Sequence, residues 1–396
     1  MRSIIHIDVN SAFLSWTALE LLQNGYPEDI REIPSAIAGD PKSRHGIILA
    51  KSFPAKKYSI QTAMTLMEAK RRCPELKIFP PSHGLYSKCS DKMFDLLSEY
   101  SDTIERFSID ECWMDYTGSI KLFGEPMEIA KTINTRMKTE LGFTVNIGLS
   151  TNKLLAKMAS EFQKPDKIHT LYPDEVESKM WPLPVAELFG VGRSSIKHMD
   201  SMGIVTIGDL AKADINILRS FFKPTFAQML HDRANGIDES PVVTREQTSA
   251  KSVGNSITTP KDVTTEEEAF ATLLYLCDKS SKRIRKIGAM ASVVSVQLKN
   301  KNFDTYQHQK KLNRATSSTD AIYEIAQKIF REMWKGDPLR LLGVTLSGIT
   351  FEFTKQISLF EESEIEEISP LDEVADKINA RFGDKSLTRG TLIKND

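Results

Sequence analysis

The chain is poor in cysteine and has no pair of cysteines at a metal-binding spacing. Its four cysteines are scattered over 396 residues, which argues against a zinc site or a disulfide framework and favours reduced thiols in a cytosolic protein. No apolar run is long enough to cross a membrane. The first residues, "MRSIIHIDVN", predict a β-strand and not a signal peptide. These absences predict a cytoplasmic protein without a membrane partner.

The chain also lacks a large net charge, but its charges are unevenly distributed. The formal net charge is −1, so the overall composition does not point to a polyanion. Residues 244–355 nevertheless contain 18 Lys and Arg against 12 Asp and Glu, a net charge of +6, and residues 356–396 contain 5 against 10, a net charge of −5. This difference predicts a module that binds a polyanion, followed by a tail that does not.

Hydrophobic periodicity predicts several domains that mix helices and strands. A strand over 3–9 precedes a helix with Asn10 or Ser11 as its cap and Gly25 as its stop. The next predicted elements are a helix over 84–100, a hairpin over 103–117, a helix over 124–141, a strand over 143–149 and a helix over 152–162. This order predicts a β–ββ–α–β–α sheet with a helical insertion after the first strand.

The second half of the chain has a different predicted organisation. Residues 171–240 are expected to be helical, and the polar stretch 236–250 is expected to be an extended linker. Residues 251–352 predict a compact βαββαβ module. One more amphipathic helix is expected near 370–382. The fold class is therefore α+β, with several domains.

Two adjacent carboxylates interrupt an otherwise apolar stretch, "ERFSIDECWMDYTG" over 105–118. Asp110 and Glu111 fall at the turn between two predicted strands, and Asp8 ends the first strand of the chain. If these strands are neighbours, the three carboxylates converge and repel one another unless cations lie between them. Hard oxygen ligands select Mg²⁺ or Mn²⁺, and two such ions promote phosphoryl displacement. The alternative is a surface turn with solvated acids.

Four motifs in order over residues 1–355 resemble those of the Y-family translesion DNA polymerases: "IHIDVNSAFLSW", "SIDECWMDYTG", "GLSTNKLLAKMASEFQKPDK" and "GVGRSSIKHMDSMGI". The resemblance implies a right-hand polymerase with a ferredoxin-like palm, small fingers, a helix–hairpin–helix thumb and a βαββαβ little finger. The implied domains are a palm over 1–11 and 81–170, fingers over 12–80, a thumb over 171–240, a linker over 241–250, a little finger over 251–352 and a tail over 353–396.

The resemblance also implies an activity and its cofactors. It implies a low-fidelity, DNA-templated DNA polymerase that copies damaged templates, with primer–template DNA and dNTPs as substrates. Asp8, Asp110, Glu111 and the backbone carbonyl of Val9 would be the metal ligands, for two Mg²⁺ ions or alternatively Mn²⁺. The enzyme would be a monomer in the bacterial cytoplasm, associated with the nucleoid.

The predicted helix after Asp8 is well placed to bind a triphosphate. Free N–H groups at its beginning, near Ser11, offer a phosphate cradle beside the expected metal site. In the resembling family, the positions of Phe53, Lys56 and Lys164 contact the triphosphate. The family commonly has Tyr and Arg where this chain has Phe53 and Lys56, so fine nucleotide selection is in question. The predicted nucleotide-binding residues are Ser11, Ala12, Phe13, Lys56 and Lys164.

Phe13 matches the family's steric gate, an aromatic ring beneath the sugar that leaves no room for a 2′ hydroxyl. The alternative is that Phe13 is a core residue of an amphipathic helix together with Leu14, Leu21 and Leu22.

The predicted DNA contacts fall in two regions. The stretch "FGVGRSSIKHMDSMGI" over 189–204 has a helix–hairpin–helix pattern, in which the glycines allow a tight turn whose N–H groups face a DNA phosphate. In the little finger, basic and polar residues of the strands are expected to contact the DNA backbone without regard to sequence. The predicted DNA-binding residues are Gly190, Gly192, Lys251, Ser252, Lys299, Lys310 and Arg314.

The pentapeptide "QISLF" over 356–360 resembles the peptide by which bacterial polymerases bind the sliding clamp. Gln356 would form hydrogen bonds, and Leu359 and Phe360 would fill apolar pockets. The alternative is a continuing strand that buries these apolar side chains.

Two other functions compete with the polymerase hypothesis. A palm-fold nucleotide cyclase would use a similar sheet with acidic ends, but it would not need the helix–hairpin–helix, the little finger or a clamp peptide. A catalytically inactive DNA-binding scaffold would not need all three carboxylates and Lys164.

Overall fold

A computed structural model describes residues 2–40, 46–244, 250–351, 369–383 and 386–392. The chain divides into two compact units, one formed by residues 1–39 and 47–248 and the other mainly by 249–396. Within the described ranges, no helix combines the length and the apolar character needed to span a membrane.

The first unit contains two sheets and eleven α-helices among its described residues. Its strands are β1 (Ile4–Val9), β2 (Ser35–Ala38), β3 (Ile48–Lys51), β4 (Lys77–Phe79), β5 (Ile104–Arg106), β6 (Glu111–Asp115), β7 (Val145–Ser150) and β8 (Ile168–Thr170). Its helices are α1 (Ala12–Gln23), α2 (Phe53–Lys56), α3 (Leu66–Arg72), α4 (His83–Ser98), α5 (Ile120–Phe123), α6 (Pro126–Leu141), α7 (Lys153–Glu161), α8 (Arg193–Ser201), α9 (Ile207–Lys212), α10 (Ile215–Phe221) and α11 (Pro224–Ala234).

The main sheet has the strand order β5-β6-β1-β7-β8, with β1 antiparallel to both of its neighbours. Side chains alternate between the two faces of β1. Ile5 and Ile7 join the core formed with α4 and α6, whereas Ile4 packs with Trp113 and with Ala156 of α7. Asp8 follows Ile4 at an even spacing and therefore points to the α7 side of the sheet.

Helix α7 packs very closely on the sheet because β7 contains a glycine. A Cβ atom at Gly148 would lie 1.9 Å from the carbonyl oxygen of Ala156, so any larger residue would push α7 away. This close packing brings the polar side chains of α7 to the ends of β1 and β6.

The insertion after β1 differs from the helical insertion predicted from the sequence. Besides α1, α2 and α3 it contains a three-stranded sheet in the order β3-β2-β4, with β2 parallel to β4. These strands have only three or four residues, too few for an alternating pattern to appear in the sequence. The missed eighth strand, β8, is equally short.

Helices α8 to α11 surround a separate hydrophobic core, as predicted for residues 171–240. The predicted linker, in contrast, begins as a packed segment. Val242 is buried against Ile4 and Trp113, and the backbone N–H of Val243 donates a hydrogen bond to Glu105 (2.8 Å). The polar composition of this stretch suggested an extended linker, but its valine side chains allow it to pack within the first unit.

The second unit has the predicted βαββαβ order. Its elements are β9 (Ser252–Val263), α12 (Glu266–Lys286), β10 (Met290–Asn300), β11 (Thr305–Thr316), α13 (Thr319–Met333), β12 (Leu339–Thr350) and α14 (Pro370–Phe382). The four strands form an antiparallel sheet in the order β11-β10-β12-β9. Buried residues of the sheet pack against α12 and α13, so the opposite face of the sheet is left open by these two helices.

Helix α14 matches the helix predicted near 370–382, but it is part of the second unit and not a separate tail. Asp372 accepts a hydrogen bond from the backbone N–H of Thr319 (2.7 Å) and lies 3.2 Å from Arg285. Arg285 also pairs with Asp376 (2.6 Å). The acidic face of α14 is thus bound to a basic residue of α12.

Candidate active site

Strand register brings two of the predicted ligands together. Asp8 lies directly opposite Glu111 in the antiparallel pair of β1 and β6, so both side chains project from the same face of the sheet. The N–H of Val9 donates a hydrogen bond to the carbonyl oxygen of Asp110 (3.0 Å), which ties the turn before β6 to the end of β1.

The carboxylate cluster includes a residue that the sequence analysis did not identify. Among the described residues, oxygen atoms of Asp8, Glu111 and Glu161 all lie within 4.8 Å of one another. Asp110 adjoins this group through the backbone, and its carboxylate accepts a hydrogen bond from the hydroxyl of Ser108 (2.5 Å). Glu161 ends α7 and was missed because an acid at the end of a helix usually faces solvent.

Two lysine side chains lie against these carboxylates. The ammonium of Lys157 contacts Glu111 and lies 2.9 Å from Glu161 and 3.5 Å from Asp8. The ammonium of Lys164 lies 3.2 Å from Asp8 and 2.9 Å from Glu161. The predicted triphosphate ligand Lys164 is therefore beside the predicted metal ligands, whereas the role of Lys157 was not anticipated.

His6 lies beneath the cluster and is fully buried. Its Nδ1 atom is 2.9 Å from the hydroxyl of Ser160, and its Nε2 atom is 3.5 Å from Glu111. Burial lowers the pKa of His6 to about 4, so the ring is neutral at pH 7. It supports Glu111 as a polar neighbour and not as a charge.

The two paired carboxylates have opposite pKa shifts. Burial raises the pKa of Asp8 to about 6, although Lys164 and Lys157 act against this shift. Burial would also raise the pKa of Glu111, but its neighbours His6 and Lys157 lower it to about 2. The neighbouring carboxylates overcome the burial of Lys157 and raise the pKa of its ammonium. The cluster thus favours positive charge at its centre.

The donor set fits divalent cations. Carboxylate oxygens are the ligands that Mg²⁺ and Mn²⁺ prefer. Lys157 and Lys164 balance part of the negative charge of these carboxylates.

The beginning of α1 lies next to β1, as expected for a phosphate cradle. Ser11 adopts the left-handed conformation (φ 48°), and no described side chain caps the first turn. Ser11, one of the two residues expected to cap this helix, is its N-cap residue, but its side chain forms no capping hydrogen bond. Ala12 is buried, and Phe13 is partly exposed.

Phe13 is held by aromatic neighbours. Its ring stacks on Tyr86 with a centroid distance of 4.4 Å and an interplanar angle of 6°. The hydroxyl of Tyr86 lies 3.0 Å from that of Thr17 on the same face of α1. Phe13 thus packs on the core with a fixed orientation and keeps part of its ring at the surface.

Lys56 belongs to a group of basic residues near Lys164. Its ammonium lies 4.1 Å from the centre of the Phe53 ring. The pKa of Lys56 is lowered mainly by burial and further by the charge of Lys164. The pKa of Lys51 is lowered mainly by burial and further by the charge of Lys56. Phe53 therefore contributes a contact with Lys56, and Lys51 is an additional cation that the sequence analysis did not identify.

The glycines of the helix–hairpin–helix stretch have distinct roles. Gly190 has a positive φ of 97°, and a Cβ atom there would lie 2.1 Å from Arg233. Gly192 precedes α8 at its N-cap position, and a Cβ atom there would meet nothing within 4 Å. The turn thus leaves the beginning of α8 accessible.

The predicted little-finger residues lie on different faces of the sheet. Lys311 lies in one cross-strand row with Ser252, Ser347 and Val293, on the face opposite the helices. Lys299 follows buried Leu298 and lies on that same open face. Lys251 is exposed just before β9, and Arg314 lies near an irregularity in the pairing of β10 and β11.

Lys310 does not lie on the open face. It is opposite Val294, which is buried beneath the helices, and its ammonium pairs with Glu332 of α13. The sequence analysis predicted a DNA contact for Lys310 without assigning faces of the sheet. Because Lys310 and Lys311 are adjacent on β11, only one of them can face outward, and the DNA contact of Lys310 stays a prediction. Gln356, Leu359 and Phe360 lie outside the described residues.

Comparison with known protein families matches both units. The model of the impB/mucB/samB family matches residues 7–161, and that of its C-terminal domain matches residues 250–359. A solved structure of a Y-family DNA polymerase chimera, Dbh-Dpo4(243-245)-Dbh, has the same fold, with a TM-score of 0.77 and 23% identity. It covers 88% of this chain, and this chain covers all of it.

Curated relatives resemble the chain over its whole length. DNA polymerase IV of Clostridium acetobutylicum is 47% identical, over 100% of this chain and 99% of the relative. DNA polymerase IV 2 of Bacillus subtilis is 37% identical, over 99% and 95%. The chain belongs to the Y-family DNA polymerases, in the group of DNA polymerase IV.

It follows that the protein is a DNA-directed DNA polymerase of the translesion class and uses divalent metal in catalysis. Primer–template DNA and dNTPs are its substrates. A nucleotide cyclase or an inactive scaffold is not supported.

Proposed function

We propose that Asp8, Asp110 and Glu111, with the backbone carbonyl of Val9, hold two divalent ions for nucleotidyl transfer. Mg²⁺ is the expected ion and Mn²⁺ the alternative. The main support is the in-register pairing of Asp8 with Glu111, with Asp110 joined to β1 by a backbone hydrogen bond. Primer extension after removal of divalent ions with a chelator, and after addition of Mg²⁺ or Mn²⁺, tests this proposal.

The reaction joins the primer to the incoming nucleotide. The 3′ oxygen of the primer forms a bond to the α-phosphorus of the dNTP, the bond from that phosphorus to the β-phosphate oxygen breaks, and pyrophosphate leaves. Asp8, Asp110 and Glu111 would hold the two ions, which when bound would supply activation of the attacking oxygen and neutralisation of the leaving group. The protein orients the reacting groups by holding the triphosphate beside the carboxylates.

The triphosphate pocket is proposed to combine cations with a helix N-terminus. Lys56 and Lys164 would neutralise phosphate oxygens, and the backbone N–H groups of Ser11, Ala12 and Phe13 would donate hydrogen bonds to them. The uncapped first turn of α1 and the proximity of Lys56 to Lys164 support this arrangement. Phe13 is proposed as the steric gate beneath the sugar.

DNA is proposed to be held by phosphate contacts of two regions. The N–H groups near Gly190 and Gly192, at the start of α8, suit a phosphate. The open face of the second unit suits the DNA backbone because Lys299, Lys311 and Ser252 share it. The palm, fingers, thumb and little finger are proposed to occupy the ranges expected from the sequence.

Replacing Lys311 with alanine should weaken DNA binding severalfold for every sequence and reduce the slope of log affinity against log salt by about 1. The matched control is Lys310→Ala, because Lys310 is the adjacent lysine but pairs with Glu332 beneath the sheet. Fluorescence anisotropy with labelled primer–template at several salt concentrations measures both. Equal losses in the two variants would contradict the assignment of faces.

Residues 356–360 are proposed to bind a sliding clamp, which would raise the local concentration of the polymerase at the primer end. Replacing Leu359 and Phe360 with alanine should leave extension without clamp unchanged and remove its stimulation by clamp. Ser358→Ala is the control within the same peptide. Loss of basal extension in the double variant would indicate that these side chains belong to a folded core.

The enzyme is further proposed to act as a monomer in the bacterial cytoplasm and to associate with the nucleoid, because its substrate is DNA. Light scattering of the purified protein would test the first point, and fluorescence microscopy of a tagged chain the second.

A further inference from the structure

Lys157 is an unusual residue for the centre of a catalytic site. Its side chain is only 11% exposed, and its ammonium contacts the three carboxylates of Asp8, Glu111 and Glu161. A buried ammonium is costly unless it is paired. Here the pairing is reciprocal, since the carboxylates would repel one another without a cation between them.

The position of Lys157 follows from the packing of α7. Ala156 packs on Ile4, and Ser160 hydrogen-bonds to His6, so this face of α7 lies along the even-numbered residues of β1. Lys157 lies between them in the chain and extends its ammonium toward Asp8, the next even-numbered position. A lysine on a solvent-exposed helix face would not contact these carboxylates.

The ammonium of Lys157 would compete with divalent ions for Asp8 and Glu111 unless another residue holds it. Divalent ions would bind the carboxylates of Asp8 and Glu111, which Lys157 also contacts. Glu161 offers the alternative contact, because it lies one turn further along α7 and is 44% exposed. It is 2.9 Å from Lys157 and 2.9 Å from Lys164.

We propose that Lys157 is a resident counter-cation of the Asp8–Glu111 pair, and that Glu161 is a positioning residue that holds the ammonium groups of Lys157 and Lys164 at the edge of the cluster when divalent ions bind. This inference rests on the proposed assignment of Asp8 and Glu111 as metal ligands. Lys157 would keep the carboxylates close together before the ions arrive, and Glu161 would limit its competition with them.

Binding of Mn²⁺ to the DNA-free enzyme, followed by electron paramagnetic resonance, separates these roles from catalysis. Lys157→Met removes the competing charge, so Mn²⁺ affinity should rise about tenfold and the melting temperature without metal should fall. Lys157→Arg keeps the charge and should restore the melting temperature. If the methionine variant does not fold, Lys157→Gln serves the same purpose. Unchanged or weaker Mn²⁺ binding by the neutral variant would overturn the counter-cation role.

A double-mutant cycle tests Glu161. Glu161→Gln should weaken Mn²⁺ binding severalfold in the parent, because Lys157 then turns fully to Asp8 and Glu111. The same substitution in the Lys157→Met background should have a much smaller effect. Equal effects in both backgrounds would mean that Glu161 does not act through Lys157, and its positioning role toward that lysine would be wrong.

Two further variants make the outcome unambiguous. Lys131→Met removes an exposed lysine that pairs with Glu128 on α6, and it should leave Mn²⁺ binding unchanged. Asp8→Ala should abolish Mn²⁺ binding. If it does not, the proposed metal site itself is wrong; if it does while Lys157 and Glu161 variants match the parent, only the present inference fails.

Discussion

Replacing Asp8 or Asp110 with alanine should reduce templated primer extension by at least about a thousandfold, since each substitution removes a proposed metal ligand and metal ions supply several kcal/mol of transition-state stabilisation. DNA binding should remain close to that of the parent, because the proposed DNA contacts lie in the stretch around α8 and on the open face of the second unit. Single-turnover extension with Mg²⁺ and anisotropy with the same primer–template measure the two effects.

The matched control is Asp91→Ala, which removes an exposed carboxylate that pairs with Arg106 on the surface of α4. It should leave extension unchanged. Substantial extension by Asp8→Ala or Asp110→Ala would contradict the assignment of these residues. Loss of DNA binding together with extension would instead indicate a structural role, which melting curves of the variants would reveal.

The proposed catalytic carboxylates could be singled out from the sequence because their positions depend on local signals. Asp8 ends a strongly apolar strand, and Asp110 and Glu111 occupy a turn between two β-type runs. The observed register, Asp8 opposite Glu111, follows once these strands are neighbours. The βαββαβ module was equally accessible, since its strands and helices are long.

Other parts of the site depend on tertiary packing that sequence periodicity does not reveal. The sequence analysis did not single out Lys157 or Glu161, and the close packing of α7 at Gly148 contributes to bringing them to β1. For Lys310 and Lys311, however, the sequence did contain a signal that assigns them to faces of the sheet. The apolar Leu312 fixes the alternation of β11 and would have assigned Lys310 to the helix side and Lys311 to the open face.

Short strands were also missed for a physical reason. The strands of the insertion contain three or four residues, and their pairing depends on residues far apart in the chain. The net negative charge of residues 356–396 suggested a tail, whereas Asp372 binds Arg285 and the beginning of α13. Composition alone does not distinguish a solvated acid from one that is paired in the fold.

Replacing Phe13 with alanine should lower the discrimination against ribonucleotides by about a hundredfold or more, with a modest effect on dNTP incorporation. The physical reason is steric. Phe13 is stacked on Tyr86 (4.4 Å) and cannot easily turn away, so its partly exposed ring is proposed to occupy the space that a 2′ hydroxyl would need. Single-nucleotide incorporation with matched dNTP and rNTP, expressed as the ratio of kcat/KM values, measures this discrimination.

Leu14→Ala is the control, because Leu14 is a buried neighbour on the same helix and its loss should cost about 2–5 kcal/mol of folding stability. If destabilisation of α1 were enough to admit ribonucleotides, both variants would lose discrimination. A specific gate requires that Phe13→Ala loses it and Leu14→Ala keeps it at a temperature where both are folded. Unchanged discrimination in Phe13→Ala would mean that the ring only fills the core beside Tyr86, and that another residue of the pocket excludes the 2′ hydroxyl.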